Sequence, residues 1–328
     1  MNLIICCTPL QMLIAEAIIR QSNEKYILLV LSLSKSNKYT YYLNNLRKHT
    51  IDSYFFEISQ KNKILQLINF IKFRYFVISE ILNKDVKIKS VYIASIDSVY
   101  LHSALSLLKY RNSRLCIYTF DDGTANIDEN SQFYIENRSK YGKIFYFLLG
   151  NRYNLSIVKK ESSLHYTIYK NMKNIIYNTE YIDIVHFYQN KNDATSEKNQ
   201  ISPPKCISIL LGQPLSPMTK KDYIHLIEKI HNNFNIDFYF PHPREEYSIN
   251  IIDNINCDFI FEEYIISELK KNNYIYHIFT FFSSAALNIN NLSERISIFS
   301  IYSNLIPTTY NNAYNIFKKQ NVQIITID

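Results

Sequence analysis

Short apolar runs alternate along this chain with longer stretches whose apolar positions recur at helical spacing. Residues 3–7, 26–33, 52–58, 89–95 and 114–120 read as strands, and 9–20, 41–48 and 99–108 as helices. Between them, Ile64, Leu67, Ile68, Ile71, Tyr75, Ile78 and Leu82 keep a helical period. The middle is less regular: 141–149 is aromatic-rich and predicted helical, and 165–173 follows neither period. Residues 190–205 are polar, lack a period and carry Pro203-Pro204, the pattern of a linker. The alternation then restarts. Strands are predicted at 206–211, 236–240, 258–261, 274–281, 295–300 and 322–327. Helices are predicted over 219–234 and 311–319 and from near Glu263 and Ser284. Strands alternating with helices make parallel sheets covered on both faces. The expected architecture is α/β: two Rossmann-like, doubly wound domains, residues 1–189 and 206–328, with a cleft between them.

A length of 328 residues is too great for one ordinary core and suits two domains. The net charge of +7 favours anionic small molecules or an anionic membrane surface. It is spread without a tight basic block, so nucleic acid is not expected as a partner. The five cysteines have no CxxC or His/Cys ligand spacing and lie mostly in apolar runs, so buried thiols of a reducing cytoplasm are expected, without zinc. Neither a secretory leader nor a bilayer-spanning apolar stretch is expected.

Candidate chemistry clusters where predicted strands end, the edge at which open α/β sheets bind ligands. In Tyr239-Phe240-Pro241-His242-Pro243-Arg244, two prolines hold one histidine on a stiff turn, with Arg244 suited to a phosphate. In Phe281-Phe282-Ser283-Ser284, two hydroxyls meet a helix start, an arrangement that binds anions or merely caps the helix. Glu262, after Phe261, is read at a strand end, where a carboxylate can accept from a ribose; the plainer reading, an acid in a first helical turn, fits Glu263 better than Glu262. Asp121-Asp122-Gly123 offers acids for acceptor hydroxyls or a base, against the plainer reading of an Asx turn. Gly212-Gln213-Pro214 permits close backbone approach to a ligand. Behind it, Asp222 is either a base or Thr219's partner in a capping box. Thr8-Pro9, with Gln11, reads as a capped helix start. The glycines form no GxGxxG or Walker loop, and no GxSxG elbow occurs.

These segments resemble glycosyltransferase family 52, the bacterial lipooligosaccharide sialyltransferases. The matching stretches, in chain order, are Cys7-Thr8-Pro9-Leu10-Gln11, Tyr92-Ile93-Ala94-Ser95, Phe120-Asp121-Asp122-Gly123-Thr124, His165-Tyr166-Thr167-Ile168, Leu210-Leu211-Gly212, Pro241-His242-Pro243-Arg244, Glu262-Glu263-Tyr264-Ile265 and Thr280-Phe281-Phe282-Ser283-Ser284-Ala285-Ala286-Leu287. The resemblance implies a GT-B-like fold and inverting, metal-independent transfer from CMP-sialic acid to a galactose-type hydroxyl of a cell-surface glycan (lipooligosaccharide or capsule), with no cofactor. It implies His242 as general acid, Ser283 and Ser284 on the donor phosphate and Glu262 on the ribose. Gly212, Gln213, Pro241, Pro243, Arg244 and Phe261 would line the nucleotide. Thr8, Gln11, Asp121, Asp122 and Gly123 are acceptor-side candidates. The family's base is an Asp shortly after Leu-Leu-Gly, where this chain has Leu215-Ser216, or Lys220 if the following helix is matched instead, so the base is open between Asp222 and the Asp121/Asp122 pair. The expected setting is cytoplasmic, with peripheral contact to the inner face of an anionic membrane, and relatives imply a homodimer. A GT-B-like enzyme using a UDP-hexose and a non-catalytic glycan-binding or scaffolding protein remain as alternatives.

Overall fold

The computed structural model describes residues 1–32, 37–58, 62–84, 86–135, 138–184, 204–242, 245, 248–290 and 292–327. The chain divides into two compact units, Met1–Ile184 and Val185–Asp328. Of the predicted linker, 190–203 lies outside the described residues.

In the first unit the strands are β1 (Asn2–Cys6), β2 (Tyr26–Ser32), β3 (Asp52–Glu57), β4 (Ser90–Ile93), β5 (Cys116–Phe120), β6 (Ser162–Thr167) and β7 (Thr179–Tyr181). They form one parallel sheet in the order β3-β2-β1-β4-β5-β6-β7. β1 and β2 are buried at every residue, because helices cover both faces of a parallel sheet. The helices are α1 (Pro9–Gln21), α2 (Asn37–Arg47), α3 (Lys63–Phe76), α4 (Val99–Arg111), α5 (Lys140–Leu148) and α6 (Leu155–Glu161). The Thr8 hydroxyl caps α1 by accepting from the Gln11 amide at 3.2 Å, with Pro9 at the first helical position. A π-helical turn, Val77–Leu82, continues α3. The aperiodic stretch 165–173 begins as β6, and α6 and β7 are elements that the hydrophobic pattern does not announce.

The second unit holds β8 (Cys206–Leu211), β9 (Phe238–Phe240), β10 (Asp253–Asn254), β11 (Ile275–Thr280), β12 (Ile296–Tyr302) and β13 (Gln323–Thr326), all parallel, in the order β10-β9-β8-β11-β12-β13. Its helices are α7 (Lys220–Phe234), α8 (Phe261–Lys271), α9 (Ser284–Asn288) and α10 (Asn311–Lys319). α7 buries Tyr223, Leu226, Ile227 and Ile230 along one stripe, each apolar side chain contributing about 2 kcal/mol.

Two expectations are corrected. Residues 258–261 are not a strand: Phe261 opens α8, because Phe261, Ile265 and Leu269 share one helical face that packs into the core. Nor are all the thiols buried. Cys116 and Cys206 are exposed at the first residues of β5 and β8, while Cys6 is buried at the last residue of β1.

Candidate active site

In each sheet the strand order reverses once, beside β1 in the first unit and beside β8 in the second. Parallel strands that diverge from such a point leave a crevice at their carboxyl ends. The candidate residues fall at these two edges.

In the second unit, β9 and β11 flank β8, with Phe240 in register with Leu211 and Phe279 with Leu210. The His242 turn and Ser283 therefore leave strands two positions apart, about 10 Å, on either side of the Gly212 turn. Hydrogen bonds tie the three ends together. The Phe282 amide donates to Gln213 Oε1 at 3.2 Å, and the Gly212 amide donates to the Phe240 carbonyl at 2.9 Å. Glu245 accepts from the hydroxyls of Tyr239 (2.5 Å) and Tyr223 (2.8 Å), and its Oε2 accepts from the His242 amide at 3.3 Å. Burial pushes the Glu245 carboxyl up, against the pull of the two tyrosine donors. A side chain at position 212 would crowd the Glu245 carboxylate and the Tyr239 hydroxyl, which would have to shift to admit it. Glu245, Tyr223 and Tyr239 thus hold the histidine turn, a role the sequence did not assign. Glu245 directly follows the Pro-His-Pro-Arg stretch, but nothing local shows that two tyrosines reach it.

Ser283 occupies the N-cap position of α9 without a side-chain capping bond, and its amide donates to Thr280 Oγ1 at 3.0 Å. Among the described residues neither the Ser283 nor the Ser284 hydroxyl has a hydrogen-bond partner. Glu262 is in the first turn of α8 rather than at a strand end. It is buried and accepts from Asn288 Nδ2 at 2.7 Å, which fastens it to the end of α9. Phe261 is buried against Phe240, ring centroids 5.1 Å apart, and supports the cradle from within the core instead of lining it. Pro241 and His242 are half-buried, whereas Pro243 and Arg244 lie outside the described residues. Asp222 is in the capping box: its Oδ2 accepts from Thr219 Oγ1 at 2.6 Å while its amide donates to that hydroxyl at 3.2 Å.

At the first unit's edge, the two adjacent aspartates have opposite environments. Asp121 is wholly buried. It accepts from His165 Nε2 (2.9 Å), Thr167 Oγ1 (2.7 Å), the Ile168 amide (2.7 Å) and Asn174 Nδ2 (3.3 Å). Its lone pairs are committed to joining β5 to the chain around β6. Asp122 is half-buried at the crevice. It accepts from Gln11 Nε2 and, at 3.0 Å, from Ser95 Oγ. Gln11 is itself buried and fixed, its Oε1 accepting from the Cys7 amide at 2.5 Å and its Nε2 donating to Ser95 Oγ at 2.9 Å. Burial raises the Asp122 carboxyl to about 6; the Gln11 and Ser95 bonds oppose that rise, and the Asp97 and Asp121 charges add to it. The pair is followed by Gly123, whose φ of +125° only glycine adopts readily, and the Asp122 amide donates to Asn126 Oδ1 at 2.8 Å. Asp121→Asn leaves a donor facing donors in a sealed site. The expected result is a loss of about 3 kcal/mol of stability, read as a fall in denaturation midpoint. An unchanged midpoint would show that Asp121 does not brace this edge.

The model of Glycosyltransferase family 52 matches residues 23–305. The chain is 33% identical over 331 residues to the CMP-N-acetylneuraminate:beta-galactoside alpha-2,3-sialyltransferase of Pasteurella multocida, covering 100% of this chain and 99% of the relative. It is 30% identical over 341 residues to the N-acetyllactosaminide alpha-2,3-sialyltransferase of Neisseria meningitidis, covering 100% of this chain and 86% of the relative. Among solved structures, the glycosyltransferase SnogD from Streptomyces nogalater aligns with a TM-score of 0.54 at 8% identity, covering 100% of this chain and 87% of that one. Likeness at that identity shows the fold, which is GT-B.

Proposed function

This chain belongs to glycosyltransferase family 52, and we propose that it moves sialic acid from CMP-sialic acid to the 3-hydroxyl of a terminal β-galactoside, with inversion and without a metal. One observation carries the donor side: a histidine turn, a glycine turn and a pair of unpartnered hydroxyls at adjoining strand ends, knitted together by Gln213 and Glu245. The bond from the sugar's anomeric carbon to the phosphate oxygen breaks through an oxocarbenium-like state, as in glycosidic cleavage. Negative charge grows on the departing phosphate, so groups aimed there act mainly on the transition state. His242 supplies a proton to that oxygen, Ser283 and Ser284 donate hydrogen bonds to the phosphate, and Glu262 accepts from the ribose. With an imidazole and two hydroxyls on a monoester leaving group, no divalent ion is needed to neutralise it.

On the acceptor side, three carboxylates were candidates for the base. Asp121 has its lone pairs taken, and Asp222 is spent on a helix cap. Asp122 is the fitting base. Its proton affinity lies close enough to neutrality to accept a hydroxyl proton as the new bond forms, and Gln11 and Ser95 fix its orientation.

Incubation with CMP-sialic acid and lactosides should yield product cleaved by an α2,3-specific sialidase, with turnover unchanged by EDTA. In a thermal-shift panel CMP and CDP should raise Tm and UDP should not. Stabilisation by UDP alone would replace the donor with a UDP-sugar; loss of turnover in EDTA would overturn the metal-free reading.

A further inference from the structure

We propose that the outer faces of α3 and α5 form a docking surface for an anionic lipid bilayer. α3 and the π-helical turn that continues it carry two apolar stripes. Phe70, Phe73 and Val77 face the core, which accounts for the helix's place in the fold. Ile64, Ile68, Ile71, Tyr75 and Ile78 form a second stripe that faces solvent, with Ile64 72% and Tyr75 71% exposed. Among the described residues, folding of this unit leaves much of those five side chains in solvent. α5 is more extreme, since none of its residues is buried. Tyr141, Ile144, Phe147 and Leu148 are all exposed, Leu148 at 77%. The two helices are neighbours. The Phe70 and Tyr146 rings meet at 5.2 Å, and the Arg74 guanidinium lies against Gly150, just past the end of α5. Together they present an apolar surface larger than scattered exposure would give, the kind that marks an interaction site.

Charge selects the occupant. No Asp or Glu occurs from Lys61 to Ser79 or from Asn137 to Lys160, and Lys63, Lys72, Lys140, Lys143 and Arg152 are exposed among the apolar side chains. Apolar and aromatic side chains ringed by cations are the composition of helices that lie in the plane of an anionic membrane interface. The Arg152 guanidinium sits over the Phe147 ring at 3.9 Å, which keeps cation and apolar surface side by side. The alternating four- and three-residue spacing of the α3 stripe would also suit a second copy of the chain. A symmetric dimer through this face, however, would bring together two cationic surfaces whose segments carry no Asp or Glu, whereas lipid phosphates offset the charge. The surface is independent of which donor or acceptor the enzyme uses.

Flotation with vesicles of phosphatidylcholine, with or without phosphatidylglycerol, tests it on the full chain. Binding is expected to the phosphatidylglycerol vesicles and to weaken as salt rises. The double variants Lys140→Glu/Lys143→Glu and Ile68→Glu/Ile71→Glu should each lower the bound fraction about tenfold, with Tm unchanged. The proposal is overturned if the unaltered chain binds neither vesicle, or if both variants keep their Tm and float as it does. It is equally overturned if sedimentation shows that the variants abolish a dimer while neither they nor the unaltered chain binds lipid.

Discussion

Replacing His242 by alanine is expected to slow sialyl transfer from CMP-sialic acid by about a hundredfold or more, the scale of general acid–base catalysis. The effect should fall on kcat, with the donor KM little changed, because the proton is needed as charge builds on the departing phosphate and not when the nucleotide binds. The pH profile gives an independent readout. A general acid must be protonated, so kcat/KM of the unaltered enzyme should decline on the alkaline side, and His242→Ala should lack that decline. A structural role would predict something else. The turn is held by Glu245 through the His242 main-chain amide, which alanine retains, so the fold around the strand end should survive. Full turnover by the alanine variant, or a slowed variant that keeps the alkaline limb, would remove His242 from the chemistry.

The second large effect is expected at Asp122. Asp122→Asn should lower kcat by about a hundredfold, and the acidic limb of the pH profile should disappear with it. The sign follows from the direction of the shift. A base works when deprotonated, and burial raises this carboxyl to about 6, so activity should fall as pH drops below that value. An ordinary aspartate would place the limb near about 3.9. Ser95→Ala removes a hydrogen bond that favours the carboxylate, so the limb should move to higher pH. This separates catalysis from support: losing Asp121 should show as instability, losing Asp122 as a changed profile in a stable protein. Should Asp222→Asn abolish turnover while Asp122→Asn leaves it intact, the base would be Asp222 and its capping bond to Thr219 would have to open in the working enzyme.

Some of this was legible in the chain. The Thr8-Pro9 helix start, the strands leading to Asp121, Gly212 and Ser283, and the family likeness of the ordered motifs all follow from local pattern. The placement of Glu262 was not, because Phe261-Glu262-Glu263-Tyr264 is apolar and acidic in a way that suits a strand end or a helical first turn. Its assignment depends on Ile265 and Leu269 finding the core on the same face as Phe261. Likewise, Asp121 and Asp122 are indistinguishable as a dipeptide. Where the chain leaves β5, the two side chains turn to opposite sides, so one aspartate meets His165 and Thr167 while its neighbour meets Gln11 and Ser95.

The sequence alone determined the periodicities, and hence the alternation of strand and helix, because spacing between apolar positions is a property of neighbouring residues. It also determined which residue types stand at the strand ends. Tertiary structure alone decided which of them act together. Glu245 reaches Tyr223 only once α7 packs beside β9, and Gln213 reaches Phe282 only once β8 is laid between β9 and β11. That order is chosen by burial of whole sheet faces among residues far apart in the chain, and no local window contains it.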